Sequence, residues 1–327
     1  MTHTHKWLVN ALLLDKKGGA KHLSQADVDD WTPNDGILWV HLNLTEPQAT
    51  RWIKNDKYLS AWTKETLTDV GESRPRSTLH ENALLLVIRT TNLTPRSEPD
   101  DMVFLRIFAT QERLISVRLN PALSFKEIKD SFDLKSGPKN VCELIETILE
   151  NTLDSTADTI SDIIEQVDEI EEKIISHQTY PTLYDDLSEL MRRLVVMHRF
   201  LAPERDALDT LTRRNLAWFD KNFERTAKDA FHRIQRIIED ITLLRERIRI
   251  NQEALNQYSA KQSQKNMYML SVIATIFLPL SFLTGLFGMN VGGIPFSEEP
   301  YGLAVTVLFI ALIGILLAYL FKRAHWL

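Results

Sequence analysis

The stretch KNMYMLSVIATIFLPLSFLTGLFGMN, residues 265–290, decides how the rest of the chain is read. From Asn266 to Ser297 there are 32 residues without an Asp, Glu, Lys or Arg, and Pro300 to Phe321 adds another 22. Only Glu298 and Glu299 separate the two runs. Met267–Phe287 and Tyr301–Phe321 hold 21 residues each. As helices they would be about 32 Å long, which matches a hydrocarbon core of about 30 Å. Both lie toward the C-terminal end, where a signal peptide does not occur. Lys261 and Lys265 precede the first run, and Lys322, Arg323 and His325 follow the second. The loop between them carries only acids, so the distribution of bases predicts that both termini are cytoplasmic and the loop is outside. Tyr301, Tyr319 and Trp326 fit interfacial anchors. Pro279 is tolerable inside the first span if a neighbouring helix or a water-lined cavity satisfies the freed carbonyl.

Upstream, no glycine occurs from Lys139 to Thr284, and the only prolines there are Pro181, Pro203 and Pro279. Helix is the expected state where helix-stopping residues are absent. Ile160, Ile163, Val167, Ile170, Ile174 and His177 recur as a heptad. A second helix is expected from Pro181 to Trp218, bent at Pro203. A third keeps the heptad Ile234, Ile237, Ile241, Leu244, Ile248, Asn251, Leu255 and Tyr258, and no stop signal intervenes before the first apolar run. Continuous from Lys221 to Phe287, it would be about 100 Å long. Its heptad face is a seam, either between subunits or against the preceding helices. Eight acids against one base, Lys173, lie between Asn151 and Tyr180. They form either a solvated face or a cation-attracting surface.

Residues 1–138 differ again, with frequent Gly and Pro. Between those breaks, Trp7–Leu14, Ile37–Leu42, Ala83–Thr90, Met102–Ala109 and Leu114–Leu119 read as strands. Pro47–Asn55, Leu59–Leu67 and Pro121–Phe132 read as helices. The expected organisation is therefore a mixed α/β cytoplasmic domain (1–138), a long-helix stalk (139–265) and a first transmembrane helix (266–290). An outer loop (291–300), a second transmembrane helix (301–321) and a short cytoplasmic tail (322–327) follow. The averages, 25% charged residues, mean hydropathy −0.17 and net charge −6, describe an ordinary soluble protein and hide the two spans.

The same pass excludes several classes. One cysteine, Cys142, can make neither an internal disulfide nor a cysteine-rich zinc site, and reads as a small buried residue. There is no phosphate-binding glycine loop, no metalloprotease histidine pair and no nucleophile motif, so an enzyme is not expected. No cofactor and no nucleic-acid partner are expected either.

One face of the first span reads Met267, Leu270, Ala274, Leu278, Ser281, Gly285, Gly288 at spacings of three and four. It narrows to small residues toward its outer end. Small residues serve either close helix packing or room for a hydrated ion. The second span has no polar stripe and reads as the lipid-facing partner. Two helices cannot enclose a pore, so a pore would need several subunits about an axis.

The first span ends Gly285-Leu286-Phe287-Gly288-Met289-Asn290, and here the chain resembles the CorA family of divalent metal ion transporters. The family signature is Gly-Met-Asn at the outer end of the first of two C-terminal helices. Ile273–Phe282 and the ending Lys322–Leu327 resemble the same family. Glu72-Ser73-Arg74-Pro75-Arg76 and Pro203-Glu204-Arg205-Asp206 also match family patterns. After Asn290, Val291-Gly292-Gly293-Ile294-Pro295 is similar to the zinc-transporting ZntB branch, where magnesium-type members carry Met-Pro-Glu-Leu. The resemblance implies a homopentameric funnel in the cell inner membrane that takes up zinc coupled to the proton gradient.

In that reading Asn290 rings the pore mouth with Gly288 and Met289, and holds the hydrated ion through its water shell. An amide oxygen is a neutral, hard acceptor suited to that task. Gly288 would let the backbone turn close to the axis. Met267, Leu270 and Leu278 would be hydrophobic constrictions on the face shared with Ala274, Ser281 and Gly285. Glu298 and Glu299 would give a ring of about ten charges that concentrates cations. The face has no His or Cys, so inner-sphere zinc binding inside the membrane is not expected. No single protonation site is expected there either, because the spans hold no Asp, Glu, His, Lys or Arg. Coupling would have to use the loop acids, water with the hydroxyls of Tyr268, Ser271, Thr275 and Ser281, or the cytoplasmic funnel. Two other readings stand beside this one: a magnesium or cobalt channel of the same fold, and a membrane-anchored coiled-coil scaffold that transports nothing.

Overall fold

The computed structural model describes residues 6–69, 71, 74–90, 102–119, 125–176, 182–214, 216–289 and 299–323. Two compact units emerge, 1–252 and 253–327, and the division falls inside one helix.

The first unit is built on a seven-stranded mixed sheet. Its strands are β1 (Leu8–Leu14), β2 (Ala20–His22), β3 (Ile37–Asn43), β4 (Arg76–His80), β5 (Ala83–Thr90), β6 (Val103–Ala109) and β7 (Arg113–Arg118). Their order is β2-β1-β3-β7-β6-β5-β4, and only β3 and β7 run parallel. Central strands β5, β6 and β7 are buried almost throughout, which is why they read as continuous apolar runs. Three short helices, α1 (Gln25–Asp30), α2 (Pro47–Asn55) and α3 (Ala61–Thr68), accompany one core. That core gathers Trp7, Trp31, Val40, Ile53, Leu67, Phe108 and Ile115. Elsewhere Trp39 packs against Phe125 and Phe132, the latter from α4 (Lys126–Asp133).

Three expected helices start or end elsewhere, four of the expected strands move an end by one residue, and β2, β4 and α1 are new. The helix expected from Pro121 starts at Lys126, because Phe125 takes φ 45°, outside the helical region; 121–124 lie outside the described residues. Ser60 caps α3 through its hydroxyl, which accepts from the Thr63 N–H at 3.1 Å, so that helix starts at Ala61. The helix expected over Pro181–Trp218 is Leu183–Arg213. Strands β2 and β4 and helix α1 are short and polar, and carry too little periodicity to be seen from sequence.

Long helices follow: α5 (Val141–Ile175), α6 (Leu183–Arg213) and α7 (Lys221–Phe287, 67 residues). Helix α6 continues through Pro203. Ile160, Ile163, Val167 and Ile170 are buried and Ile174 is half-buried, while His177 lies outside the described residues. Ile234, Ile237, Ile241, Leu244, Ile248, Asn251 and Leu255 are all buried within the chain itself, whereas Tyr258 is exposed. The heptad seam of α7 is therefore filled first by the chain's own helices. Cys142 is buried as expected, and burial pushes its thiol up to about 12.

In the second unit, α7 runs on without interruption to Phe287, and α8 (Gly302–Arg323) follows. Both are long and apolar enough to cross a membrane, and both are almost wholly exposed within the single chain.

Candidate functional site

Helices α7 and α8 pack along one side only. A Cβ placed on Gly314 would lie 3.6 Å from Leu280 Cδ1, so the absence of a side chain there lets the helices approach. The Phe287 and Phe309 rings meet edge-on, 6.4 Å between centroids. The sheltered residues of the α7 span are Val272, Ile276, Pro279, Leu280, Leu283 and Phe287. On α8 they are Gly302, Thr306, Ile310, Ile313, Gly314, Leu317, Ala318 and Phe321. Spacings of three and four put each set on one helical stripe.

The face singled out from sequence lies on the other side. Met267, Leu270, Ala274, Leu278, Ser281 and Gly285 are all exposed, with Leu278 72% exposed. At about 100° per residue, their mean direction is roughly 160° from that of the sheltered stripe. A Cβ on Gly285 would meet nothing within 4 Å. The structure thus brings these six residues onto a single unpartnered face. Gly288 and Met289 stand at the end of the same helix. Asn290 and Glu298 lie outside the described residues. Glu299 is exposed just ahead of α8, and its carbonyl accepts from the Gly302 N–H at 2.9 Å.

Helix α7 ends at Phe287, and Gly288 stands in the turn that follows, its N–H still donating to the Thr284 carbonyl at 2.9 Å without a left-handed φ. A Cβ at Gly288 would sit 3.1 Å from that carbonyl oxygen, a tight contact with the chain's own last turn.

The hydroxyls of the span are largely committed to its backbone. Ser271 donates to the Met267 carbonyl at 3.0 Å and Thr275 to the Ser271 carbonyl at 2.7 Å. Thr284 donates to the Leu280 carbonyl at 3.0 Å. Such back-bonding lets a hydroxyl enter an apolar span without an unsatisfied donor.

In the first unit the acidic stretch of α5 faces α7. Arg247 of α7 donates from Nη2 to Asp168 at 2.5 Å and to Glu171 at 2.6 Å, and Asn251 Nδ2 donates to Glu171 at 2.9 Å. Arg233 pairs with Asp154. Arg247 and Asn251 together hold the Glu171 carboxyl below its usual range. Three of the eight acids are thereby spent on α7, and among the described residues no cluster of three acids, histidines or cysteines could hold a metal. The excess acidity is thus partly a helix-docking surface.

The Pro203–Asp206 motif also acquires a place. Glu204 is 1% exposed, and its carboxylate accepts from the Arg89 backbone N–H at 3.0 Å. Strand β4 stops pairing with β5 at Arg76–Val87, so Glu204 serves β5 just past the end of its neighbour. Burial pushes its carboxyl up to about 8. Arg89 stacks 4.0 Å over Phe200 of α6, and burial pulls Arg106 of β6 down to about 10. Arg205 and Asp206 form a surface ion pair.

A mixed α/β head, a helix of 67 residues that runs into an apolar span, and a second span packed on one side of it fit a two-span membrane protein. Comparison with known proteins adds the class, transport. The chain matches the family model described as "CorA-like Mg2+ transporter protein" over residues 34–323. It is 33% identical to a divalent cation transporter, CmaX, of Pseudomonas aeruginosa, over 98% of this chain and 97% of that one. It is 29% identical to the zinc transport protein ZntB of Pectobacterium carotovorum, over 99% and 97%. The solved structure of full-length CmaX superposes with a TM-score of 0.85 at 31% identity, covering 100% of both chains. The chain belongs to the CorA family of divalent cation transporters.

Proposed function

We propose that this chain forms a homopentamer in the cell inner membrane and carries zinc inward, coupled to the proton gradient, through a central pore lined by α7. The observation that carries the reading is the exposed face of Met267, Leu270, Ala274, Leu278, Ser281 and Gly285, opposite the side occupied by α8. A face of this kind needs either lipid or further copies of the chain. Its outer half is too small and too polar to gain much from lipid. Copies arranged about an axis would turn it toward water and ions.

In this reading Asn290 closes the outer end of the pore with Gly288 and Met289, and holds a hydrated cation through its waters. Met267, Leu270 and Leu278 form hydrophobic constrictions, and Glu298 and Glu299 gather cations at the mouth. Both termini are cytoplasmic. Zinc is preferred to magnesium on the Val291–Pro295 loop sequence and on the likeness to the zinc transport protein. Proton coupling runs outside the spans, because they contain no Asp, Glu, His, Lys or Arg and the hydroxyls of Ser271 and Thr275 already donate to carbonyls.

The test is uptake of labelled zinc and labelled magnesium by proteoliposomes, with and without an imposed pH gradient. Zinc uptake that rises with an inward proton gradient supports the reading. Magnesium flux without proton dependence replaces it with a channel of the same fold. Absence of any divalent flux removes transport altogether.

A further inference from the structure

The side of α7 that α8 covers does not end where α8 ends. Sheltered Phe287, Leu283, Leu280, Ile276 and Val272 follow one another at spacings of three and four. The same spacing, carried toward the start of α7, passes Tyr268 and Met269 and reaches Lys265 and then Lys261. At about 100° per residue, Lys265 lies within about 20° of the mean direction of the sheltered stripe. Burial stops abruptly along this line, with Val272 7% exposed and Met269 54%.

The second helix explains the change. Leu280 lies beside Gly314 and Phe287 meets Phe309, so α7 and α8 run antiparallel. Eight residues farther along each helix, Lys322 comes level with Val272, and α8 ends one residue later at Arg323. Beyond that level no helix covers the stripe among the described residues. Lys261, Lys265 and Lys322 are exposed, and none of them makes an ion pair or hydrogen bond among the described residues.

Acids are missing from this end of the pair. After Glu253 the next Asp or Glu is Glu298, beyond the first span, and none follows Glu299. Lys261, Lys265, Lys322 and Arg323 thus stand against one acid, which is about 12 Å farther along α7 than Lys261. Orienting the spans requires bases near their ends, but does not require them on the stripe that α8 covers. A soluble anion would gain only the charge. A molecule with an acyl chain beneath its charge also gains the uncovered apolar surface at Met269, and long lysine stems can lie along such surface while the ammonium stays in the headgroup layer.

We propose that the base-rich end of the α7–α8 seam holds an anionic phospholipid. Its phosphate lies between Lys265 and Lys322, Lys261 adds positive charge on the water side, and an acyl chain lies along Met269 where α8 leaves α7 uncovered. The site rests on the two helices crossing a membrane, and not on which ion is carried.

Native mass spectrometry of the full-length chain tests this without any ion flux. The chain is solubilised with equal amounts of phosphatidylglycerol and phosphatidylcholine of the same acyl composition, and the retained lipid is weighed. Phosphatidylglycerol is expected to be enriched at least roughly tenfold. Lys265→Gln leaves three bases to orient the spans and should cut that enrichment roughly fivefold, while Lys265→Arg keeps it. Lys17→Gln, at an exposed position of the first unit, should change nothing. An excess of inorganic phosphate should leave the lipid in place. Equal retention of the two lipids, undiminished enrichment in Lys265→Gln, or displacement of the lipid by inorganic phosphate would overturn the proposal.

Discussion

The two halves of α7 are one helix written for two solvents. Between Ile234 and Leu255 the heptad residues fall on one stripe and are buried, while the positions between them are mostly charged or polar, with Leu243 and Ile250 as exposed exceptions. Between Met267 and Phe287 the sheltered stripe still follows spacings of three and four, but the exposed positions are apolar too. Exposed Leu270, Phe277, Leu278 and Phe282 would be a liability in water. They are ordinary against lipid or another copy of the chain. Hydrophobicity alone therefore reports burial in the first half and environment in the second.

The largest test sets the two faces of the second half against each other. Ser281→Lys puts a positive charge on the unpartnered face and should cut divalent-cation flux at least roughly tenfold with membrane insertion intact. Ser281→Ala should leave flux within about twofold. If Ser281→Lys transports normally in proteoliposomes, that face does not carry ions.

The next test belongs to the first half. Ile241 is fully buried, and Ile241→Ala should cost about 2–5 kcal/mol, read as a lowered unfolding midpoint in denaturant. A loss well below that range would mean that the seam collapses around the cavity or is loosely packed.

Two carboxylates sharpen the contrast between dry and wet surroundings. Glu204 is buried, with its carboxyl raised to about 8 from an ordinary value of 4.5. The folded state therefore holds a proton that the unfolded state has lost between those values. The contribution of Glu204 is greatest below about pH 4.5 and declines as pH rises through 8. Glu204→Gln keeps an acceptor for the Arg89 N–H and removes the charge, so its melting temperature relative to the parent should rise from pH 6 to pH 9. A constant difference across that range would contradict the burial argument.

Glu171, by contrast, is held low by Arg247 at a partly exposed site. Removing its partner should have the smallest effect. Arg247→Ala is expected to cost about 1 kcal/mol or less, and the cost should shrink in high salt. A salt-independent loss would point to packing by the arginine stem instead.

Much of the fold could be read directly. Ala83–Thr90 and Pro47–Asn55 were bounded as found, and α7 reaches Phe287 as its unbroken heptad requires. These are local properties of period, apolar run and stop signal. What escaped was polar and short: β4, RSTLH, has no apolar alternation and exists because β5 offers it an edge. The left-handed Phe125 that delays α4 has no sequence signal, since aromatic residues are not expected there.

The candidate pore face was visible because helical spacing and small residues are written in order along the chain. Its position opposite α8 was not, because that depends on Leu280 meeting Gly314 across two helices. The Arg113–Asp56 pair left no trace in sequence, since the two residues are 57 positions apart and meet only when the end of α2 and the start of β7 converge.

The sequence by itself determined the spans, the long rod and the class of protein, because hydropathy and helical period act within a few turns of the chain. Only the tertiary structure decided which charges are used up. Arg247 takes Asp168 and Glu171, the Arg89 backbone takes Glu204, and Arg113 is sealed among three aromatic rings. The reason is physical: a charge's partner and its desolvation depend on distance in space, and the order of residues along the chain does not contain that distance.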